Sequence, residues 1–291
     1  MRFKGSMVAL LTPFRGNEVD YGTLGRLVDV QIKAGTDVLV PCGTTGESPT
    51  LSHEEHDKVI EEVVRLAAGK VPVMAGTGSN STAEALRLTN HARQTGATGA
   101  LLVSPYYNKP TPEGLYRHFA TIAEASDFPL VLYNIPARCG VEIPVATIAR
   151  LHRDYPQIVG VKHATGSIEG ASELAMACDI DILSGDDSMT LPLMSIGGCG
   201  VISVLANIIP KDIKALTDSA LSGDWEAARQ WHRKTFVLAK GMLSIEVNPI
   251  PIKTAMAMVG MLEESFRLPL CSMTPEHRQE LEREIQAYGL H

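Results

Sequence analysis

Lys162 closes an apolar run, Ile158-Val159-Gly160-Val161-Lys162, just ahead of the turn-like Thr165-Gly166-Ser167. An ionised lysine is costly to bury without a partner. Its amine therefore either meets a structural counter-ion, for which Asp186 and Glu47 are the candidates, or has a chemical task. Side chains on a strand alternate between faces, which places Ile158, Gly160 and Lys162 on one face, with room beside the amine at Gly160. A dry, partly apolar pocket disfavours the ammonium and lowers the lysine pKa from its ordinary value of roughly 10.4. A neutral amine attacks a ketone and forms a Schiff base.

Other residues carry chemistry beside it. In Gly43-Thr44-Thr45-Gly46-Glu47 the glycines let backbone approach a ligand, and two hydroxyls suit a carboxylate or carbonyl oxygen. The same stretch also reads as an ordinary strand-to-helix turn. Tyr133 is either a proton shuttle or a core tyrosine. Arg138 is either a two-point carboxylate clamp or a surface arginine. Tyr106 and Tyr107, between Pro105 and Pro110, have the look of interface aromatics. Gly76-Thr-Gly-Ser-Asn-Ser81 lacks the third glycine of a dinucleotide fingerprint. His53-Glu-Glu-His56 has its histidines three apart, not the four of a zinc-protease helix.

These residues need a frame. Apolar runs at Met7–Thr12, Asp37–Cys42, Val71–Gly76, Gly99–Pro105, Leu130–Asn134, Ile158–Lys162, Asp181–Ser184 and Gly200–Leu205 read as strands covered on both faces. Helical patterns lie between them, one opened by the capping box Ser52-His-Glu-Glu55. The least regular spans Met189–Ile196, around Pro192. Eight strand–helix units predict an α/β fold, a closed (β/α)8 TIM barrel over residues 1–222. Residues 223–291 show no strand signal and predict added C-terminal helices near Trp225–Lys240, Ile250–Val259 and Pro275–Tyr288. In such a barrel the strands' C-terminal ends carry the site, and the residues above fall there. No cluster of histidines and carboxylates stands at those ends, so neither a metal nor a cofactor is expected.

Bulk properties agree. With 291 residues and 45% apolar content, a substantial core is available. A net charge of −7 and no basic cluster argue against nucleic acid as a partner. The five cysteines, Cys42, Cys139, Cys178, Cys199 and Cys271, are scattered and form no C-x-x-C pair, as expected of reduced thiols in a cytoplasmic protein. The apolar run near the start is too short for a signal peptide and is broken by Pro13, and no membrane span is expected.

Six stretches are more specific together than singly: GTTGES (43–48), YYNKPTPEGLYRHF (106–119), YNIPARCG (133–140), GVKHATG (160–166), LSGDD (183–187) and GVISV (200–204). In order and spacing the chain resembles the dihydrodipicolinate synthase / N-acetylneuraminate lyase family over nearly its whole length. The resemblance implies a class I, metal-free condensation in which Lys162 forms an imine with pyruvate. It assigns Tyr133, Thr44 and Tyr107 to a proton relay, with Tyr107 reaching in from a neighbouring subunit. Thr45 would hold the pyruvate carboxylate, beside main-chain groups near Gly185 and Ile202. Arg138 would receive L-aspartate-4-semialdehyde through its carboxylate. The enamine attacks the aldehyde, and transimination closes the ring and frees Lys162.

Sister activities share the lysine and the Gly-Thr loop. Arg138 and the tyrosine pair favour this condensation over a pyruvate-dependent sugar-acid aldolase such as an N-acetylneuraminate lyase. Lys162, Tyr133, Thr44 and Arg138 together speak against a non-catalytic barrel that only binds a small acid. The resemblance further implies feedback inhibition by L-lysine in a dimer-interface cleft formed by Ser48, His53, His56, Asn80, Glu84 and Tyr106, with Glu84 receiving the ε-ammonium. On the residues alone, His53 and His56 are solvated first-turn side chains. The resemblance also implies a homo-oligomer, a tetramer built as a dimer of dimers. Three positions depart from the family's pattern: His163, expected to face away from Lys162; Cys139, beside Arg138; and Pro49, beside the inhibitor cleft.

Overall fold

The computed structural model describes residues 3–291. Apolar runs rich in Val, Ile and Leu form eight parallel strands: β1 Gly5–Ala9, β2 Val38–Val40, β3 Met74–Gly76, β4 Gly99–Val103, β5 Leu130–Asn134, β6 Ile158–His163, β7 Asp181–Ser184 and β8 Gly200–Ser203. Neighbours in sequence are neighbours in the sheet, and β8 returns to β1 with Met7 opposite Ile202. Leu39 faces Val73 in a parallel bridge, and the Leu39 N–H donates to Pro72 O at 3.0 Å, so β2 meets β3 and the barrel closes. The fold class expected from eight strand–helix units is the one observed.

The twofold alternation of strand side chains divides the core. Met7, Ala9, Val38, Val40, Met74, Leu101, Val131, Tyr133, Leu183 and Ile202 pack together inside the barrel. Val8, Leu39, Leu102, Leu132, Val161 and Val201 face the helices. On β6 the alternation is broken once. Ile158 pairs with Leu130, but Gly160 pairs with Val131, so Val159 is an inserted, bulged residue. Gly160 and Lys162 share the inner face as expected, whereas Ile158 lies in the helix-facing core. Sequence periodicity carries no trace of one extra residue in a pairing.

The surrounding helices are α1 Tyr21–Ala34, α2 His53–Ala67, α3 Thr82–Thr95, α4 Pro112–Glu124, α5 Val145–Asp154, α6 Ile168–Ala177, α7 Thr190–Ser195 and α8 Pro210–Leu221. Ser52 and Glu55 form the expected capping box of α2. In α7, Pro192 sits in the first turn, where its missing N–H has no helical partner to lose. A short hairpin, Phe14–Arg15 with Glu18–Val19, was not legible, since two residues per strand show no alternation. No described helix is long and apolar enough to cross a membrane.

Three further helices follow, α9 Trp225–Ile245, α10 Ile250–Met258 and α11 Pro275–Tyr288. The C-terminal region is fastened to the barrel mouth by charge. Lys253 of α10 and Glu47 of the β2–α2 loop form an ion pair with both side chains at 0% exposure. The Lys253 Nζ also lies 4.1 Å from the Phe14 ring centroid. Arg267 donates to both Glu55 oxygens at 2.6 Å, to Thr50 O at 2.9 Å and to Asn17 O at 2.6 Å. Glu47 adopts a left-handed backbone at φ 52°, a costly conformation for a side-chain-bearing residue that the buried pair holds in place.

Removing one member of a buried ion pair strands the other, at a cost of about 3–5 kcal/mol. Lys253→Met is therefore expected to lower the stability of the chain by that amount in denaturant unfolding. The double variant Glu47→Gln/Lys253→Met is expected to recover part of the loss. An unchanged midpoint for Lys253→Met would show that the pair does not fasten the two regions.

Candidate active site

A cavity of about 270 Å³ opens at the C-terminal ends of the strands. Thr44 and Thr45 enter it from the loop after β2, Tyr133 from β5, Arg138 from the turn beyond β5, Lys162 from β6, Gly185 from beyond β7 and Ile202 from β8. Leu243, Val247 and Asn248 of the C-terminal region complete its wall.

Lys162 stands opposite Tyr133 in the β5–β6 register, with its Nζ 4.2 Å from the phenol ring centroid. The side chain is buried, and burial lowers its pKa to about 8. Asp186 and Asp187 favour the ammonium, and Arg138 opposes it. Among the described residues no carboxylate oxygen lies within ion-pair distance of this amine, and Glu47 is taken by Lys253. The structural ion-pair reading of Lys162 thus fails on both candidate partners.

Tyr133 is buried, and desolvation pushes its phenol well above the ordinary tyrosine range, against a downward pull from Arg138 and from a hydrogen bond with Thr44. It is therefore a protonated hydroxyl at neutral pH, linked to Thr44. The Thr45 hydroxyl is held by Asn248 Nδ2 at 3.0 Å. Arg138 lies on a single helical turn, Pro136–Cys139, and its Nη2 donates to the Asn248 carbonyl at 2.8 Å. Asn134 braces the loop that carries this turn by exchanging hydrogen bonds with Ile143 at 3.0 and 3.1 Å. Gly185 is required where it stands, because a Cβ there would lie 2.5 Å from Ala164 Cβ. Its N–H already donates to His163 O at 2.8 Å. The His163 ring is turned to Thr165 and Ser167, away from the cavity, as expected.

A second cavity of about 370 Å³ adjoins the first across Gly43, Thr44, Tyr133 and Arg138. Ser48, His53, His56, Glu84 and Tyr106 line it, together with Pro49 and Cys139. Asn80 is not in its wall; its Nδ2 donates to Tyr106 O at 3.2 Å and so ties down the tyrosine loop. His53 is exposed and bridges to Glu84 at 2.7 Å, while Ser79 donates to the other Glu84 oxygen. His56 is no solvated first-turn residue: it is buried, meets Gly76 O at 3.0 Å, and burial lowers its pKa to about 4. Tyr107 joins neither cavity in the single chain. It is 89% exposed and has a left-handed backbone at φ 72°.

Asn134, Asp187 and Asn248 were not foreseen as parts of the site, and Asp186 was expected only as a counter-ion of Lys162. Asp187 stood in a quoted motif without a role. Asn248 lies 203 residues from Thr45, a separation no local pattern bridges.

Comparison with known proteins is consistent along the full length. Residues 2–288 match the model of the dihydrodipicolinate synthetase family. A 4-hydroxy-tetrahydrodipicolinate synthase of Geotalea daltonii is 52% identical over 99% of this chain and 99% of its own. The solved dihydrodipicolinate synthase of Acinetobacter baumannii, complexed with pyruvate, superposes with a TM-score of 0.97 at 43% identity, covering 99% of this chain and 100% of its own. That of Cyanidioschyzon merolae, with lysine bound, gives 0.95 at 38% identity and covers 100% of both chains.

The burial of Lys162 has a direct reading in pH. Acylation of its amine in the free protein is expected to rise with a midpoint near pH 8, because only the neutral form reacts. Arg138→Ala removes a cation that disfavours the ammonium, so the midpoint is expected to move up. Peptide mass mapping after brief labelling across pH measures both, and a wild-type midpoint near the ordinary roughly 10.4 would contradict the reading.

Proposed function

The chain belongs to the dihydrodipicolinate synthetase family, and we propose that it works through an imine between Lys162 and pyruvate. The activity is that of a 4-hydroxy-tetrahydrodipicolinate synthase, a lyase that joins pyruvate to L-aspartate-4-semialdehyde in lysine and diaminopimelate biosynthesis. The observation that carries the imine is the buried Lys162 amine, lowered in pKa and without a carboxylate in contact. The pyruvate-bound relative from Acinetobacter baumannii supports the choice of keto acid.

The neutral amine attacks the pyruvate ketone, and the carbinolamine loses water. Tyr133, against the amine and protonated, gives and takes the protons these steps need, and Thr44 passes them on. Thr45, oriented by Asn248, receives the pyruvate carboxylate beside Gly185 and Ile202. Loss of a methyl proton turns the iminium into an enamine, whose carbon attacks the aldehyde. Arg138 holds the aldehyde substrate by its carboxylate. The amine of that substrate then adds to the imine carbon, the ring closes, and the C–N bond to Lys162 breaks. No step in this sequence needs a metal or a redox cofactor.

Tyr107 completes the relay from a second copy of the chain, which makes the working unit at least a dimer. The reading extends to a tetramer formed as a dimer of dimers, located in the cytoplasm. The adjoining cavity takes L-lysine as a feedback inhibitor, at Ser48, His53, His56, Glu84 and Tyr106, with Asn80 fixing the tyrosine loop. The lysine-bound relative supports this. Glu84 would exchange its bond to His53 for the ligand's ε-ammonium.

Borohydride reduction in the presence of pyruvate is expected to fix one three-carbon adduct on Lys162, located by peptide mapping. Lys162→Ala should lower kcat by about 10³-fold or more. A label on another residue, or a variant with wild-type turnover, ends the proposed mechanism.

L-Lysine titrated into the assay is expected to inhibit in the millimolar range or below. Glu84→Ala should abolish that inhibition while leaving the uninhibited rate within about twofold. Wild-type rates unchanged at several millimolar lysine would exclude the second cavity as an inhibitor site.

A further inference from the structure

We infer that Asp186 determines specificity for the second substrate by receiving the ammonium of the amino aldehyde whose carboxylate Arg138 holds. The inference rests on the reading above, in which pyruvate is bound to Lys162 and the aldehyde arrives as an amino acid. Such a substrate carries a carboxylate and an ammonium on one carbon. Arg138 answers the first charge. A cavity that tells this aldehyde from its counterpart lacking the amino group also needs an anion for the second.

Among the described residues, two carboxylates belong to the catalytic cavity, Asp186 and Asp187. Asp187 is spent. It is buried and accepts from the Ser203 hydroxyl, from the Val204 N–H at 2.9 Å and from the Leu205 N–H at 3.3 Å. Asp186 is the reverse case. Its backbone is fixed: its carbonyl accepts from Ser184 Oγ at 2.7 Å and from the Met189 N–H at 3.1 Å, and its N–H donates to Ser184 Oγ at 3.3 Å. Its carboxylate is unspent. Asp186 immediately precedes the helical turn Asp187–Met189, a position where aspartate normally caps with its side chain, yet it makes no capping bond. It forms no ion pair with Lys162 either. The result is an aspartate with an anchored main chain and a carboxylate that makes no side-chain hydrogen bond or ion pair, in the wall that holds Lys162 and Arg138.

The order of the chemistry strengthens the case. Before pyruvate binds, Asp186 acts on the Lys162 ammonium through space. Once the enamine has formed, the Lys162 nitrogen is neutral and that claim on the carboxylate disappears. The aldehyde enters at this stage, and its ammonium meets a carboxylate that burial disfavours as an anion and that has lost the favouring charge of Lys162, so the incoming cation takes that charge's place. A hydrogen-bonded charge pair of this kind changes affinity by roughly 10-fold or more.

The test compares Asp186→Ala, Asp186→Asn and Asp186→Glu with the wild type. Three quantities are measured: borohydride trapping of pyruvate, the KM for L-aspartate-4-semialdehyde, and the inhibition constant of 4-oxobutanoate, the same aldehyde without the amino group. The expected result for the Ala and Asn variants is a KM raised ~10-fold or more, with pyruvate trapping intact and the 4-oxobutanoate constant within about twofold. Asp186→Glu should restore part of the discrimination. Equal weakening of both aldehydes, or no change in either, overturns the assignment while leaving the imine mechanism standing. If the wild type traps no pyruvate on Lys162, the premise fails and the inference fails with it.

Discussion

The structure is organised around the desolvation of one amine. The chain buries two lysines at the same end of the barrel, and the comparison between them is instructive. Lys253 and Lys162 are both lowered in pKa, and burial is the first cause in each. Lys253 is met by Glu47, its charge is compensated, and the pair serves as a fastening. Lys162 has an aromatic face and two carboxylates acting from a distance, with no contact partner. The first arrangement stabilises an ion; the second brings the amine's pKa down toward physiological pH, where a substantial minority is neutral. What separates the structural lysine from the one that is reactive in the proposed mechanism is whether a carboxylate is in contact.

The two arrangements depend on each other through the Gly43–Ser48 loop. Its Thr44 and Thr45 face the catalytic cavity, its Ser48 faces the adjoining one, and Glu47 between them is held by Lys253. The same C-terminal region supplies Asn248, which touches both Thr45 and Arg138. The helices beyond the barrel are therefore part of the site's construction. They set the positions of the two groups that answer substrate carboxylates in the proposed mechanism, and they do so from a single residue. A displacement of Asn248 would move both anchors together.

The barrel was legible because its signals are local and repeated: apolar runs of strand length, capped helical patterns between them, and Ser52 with Glu55 at the head of α2. Lys162 was legible because an ionisable residue in such a run violates the pattern. What escaped has a common cause. The bulge at Val159 is a property of how β6 pairs with β5, and a twofold period read along one strand cannot contain it. Asn248 acts across 203 residues, and Arg267 reaches back 212 residues to Glu55. Asp186 and Asp187 are adjacent and identical in type, and only the hydrogen bonds around each separate the engaged carboxylate from the open one. Similarly, His53 and His56 are equivalent by pattern, but one turn of helix exposes the first and buries the second.

Tyr107 brings the same physics to the assembly. A left-handed backbone at a bulky, side-chain-bearing residue costs roughly 1–2 kcal/mol. Within one chain the Tyr107 ring, 89% exposed, gains little burial to offset that cost. The neighbouring geometry is nonetheless well braced: Asn108 Nδ2 donates to Asn80 O at 2.9 Å, Asn80 Nδ2 donates to Tyr106 O at 3.2 Å, and the Tyr107 N–H is directed at Cys139 O. The loop thus presents an exposed aromatic in a strained conformation, and the proposed relay gives that ring a surface outside the chain. In the proposed relay that surface is the mouth of a second barrel, where the ring would be buried and its hydroxyl would extend the line from Tyr133 and Thr44. The cost of the backbone would then be offset by the same contact that completes the proton path, so that in this proposal assembly and catalytic competence depend on one side chain.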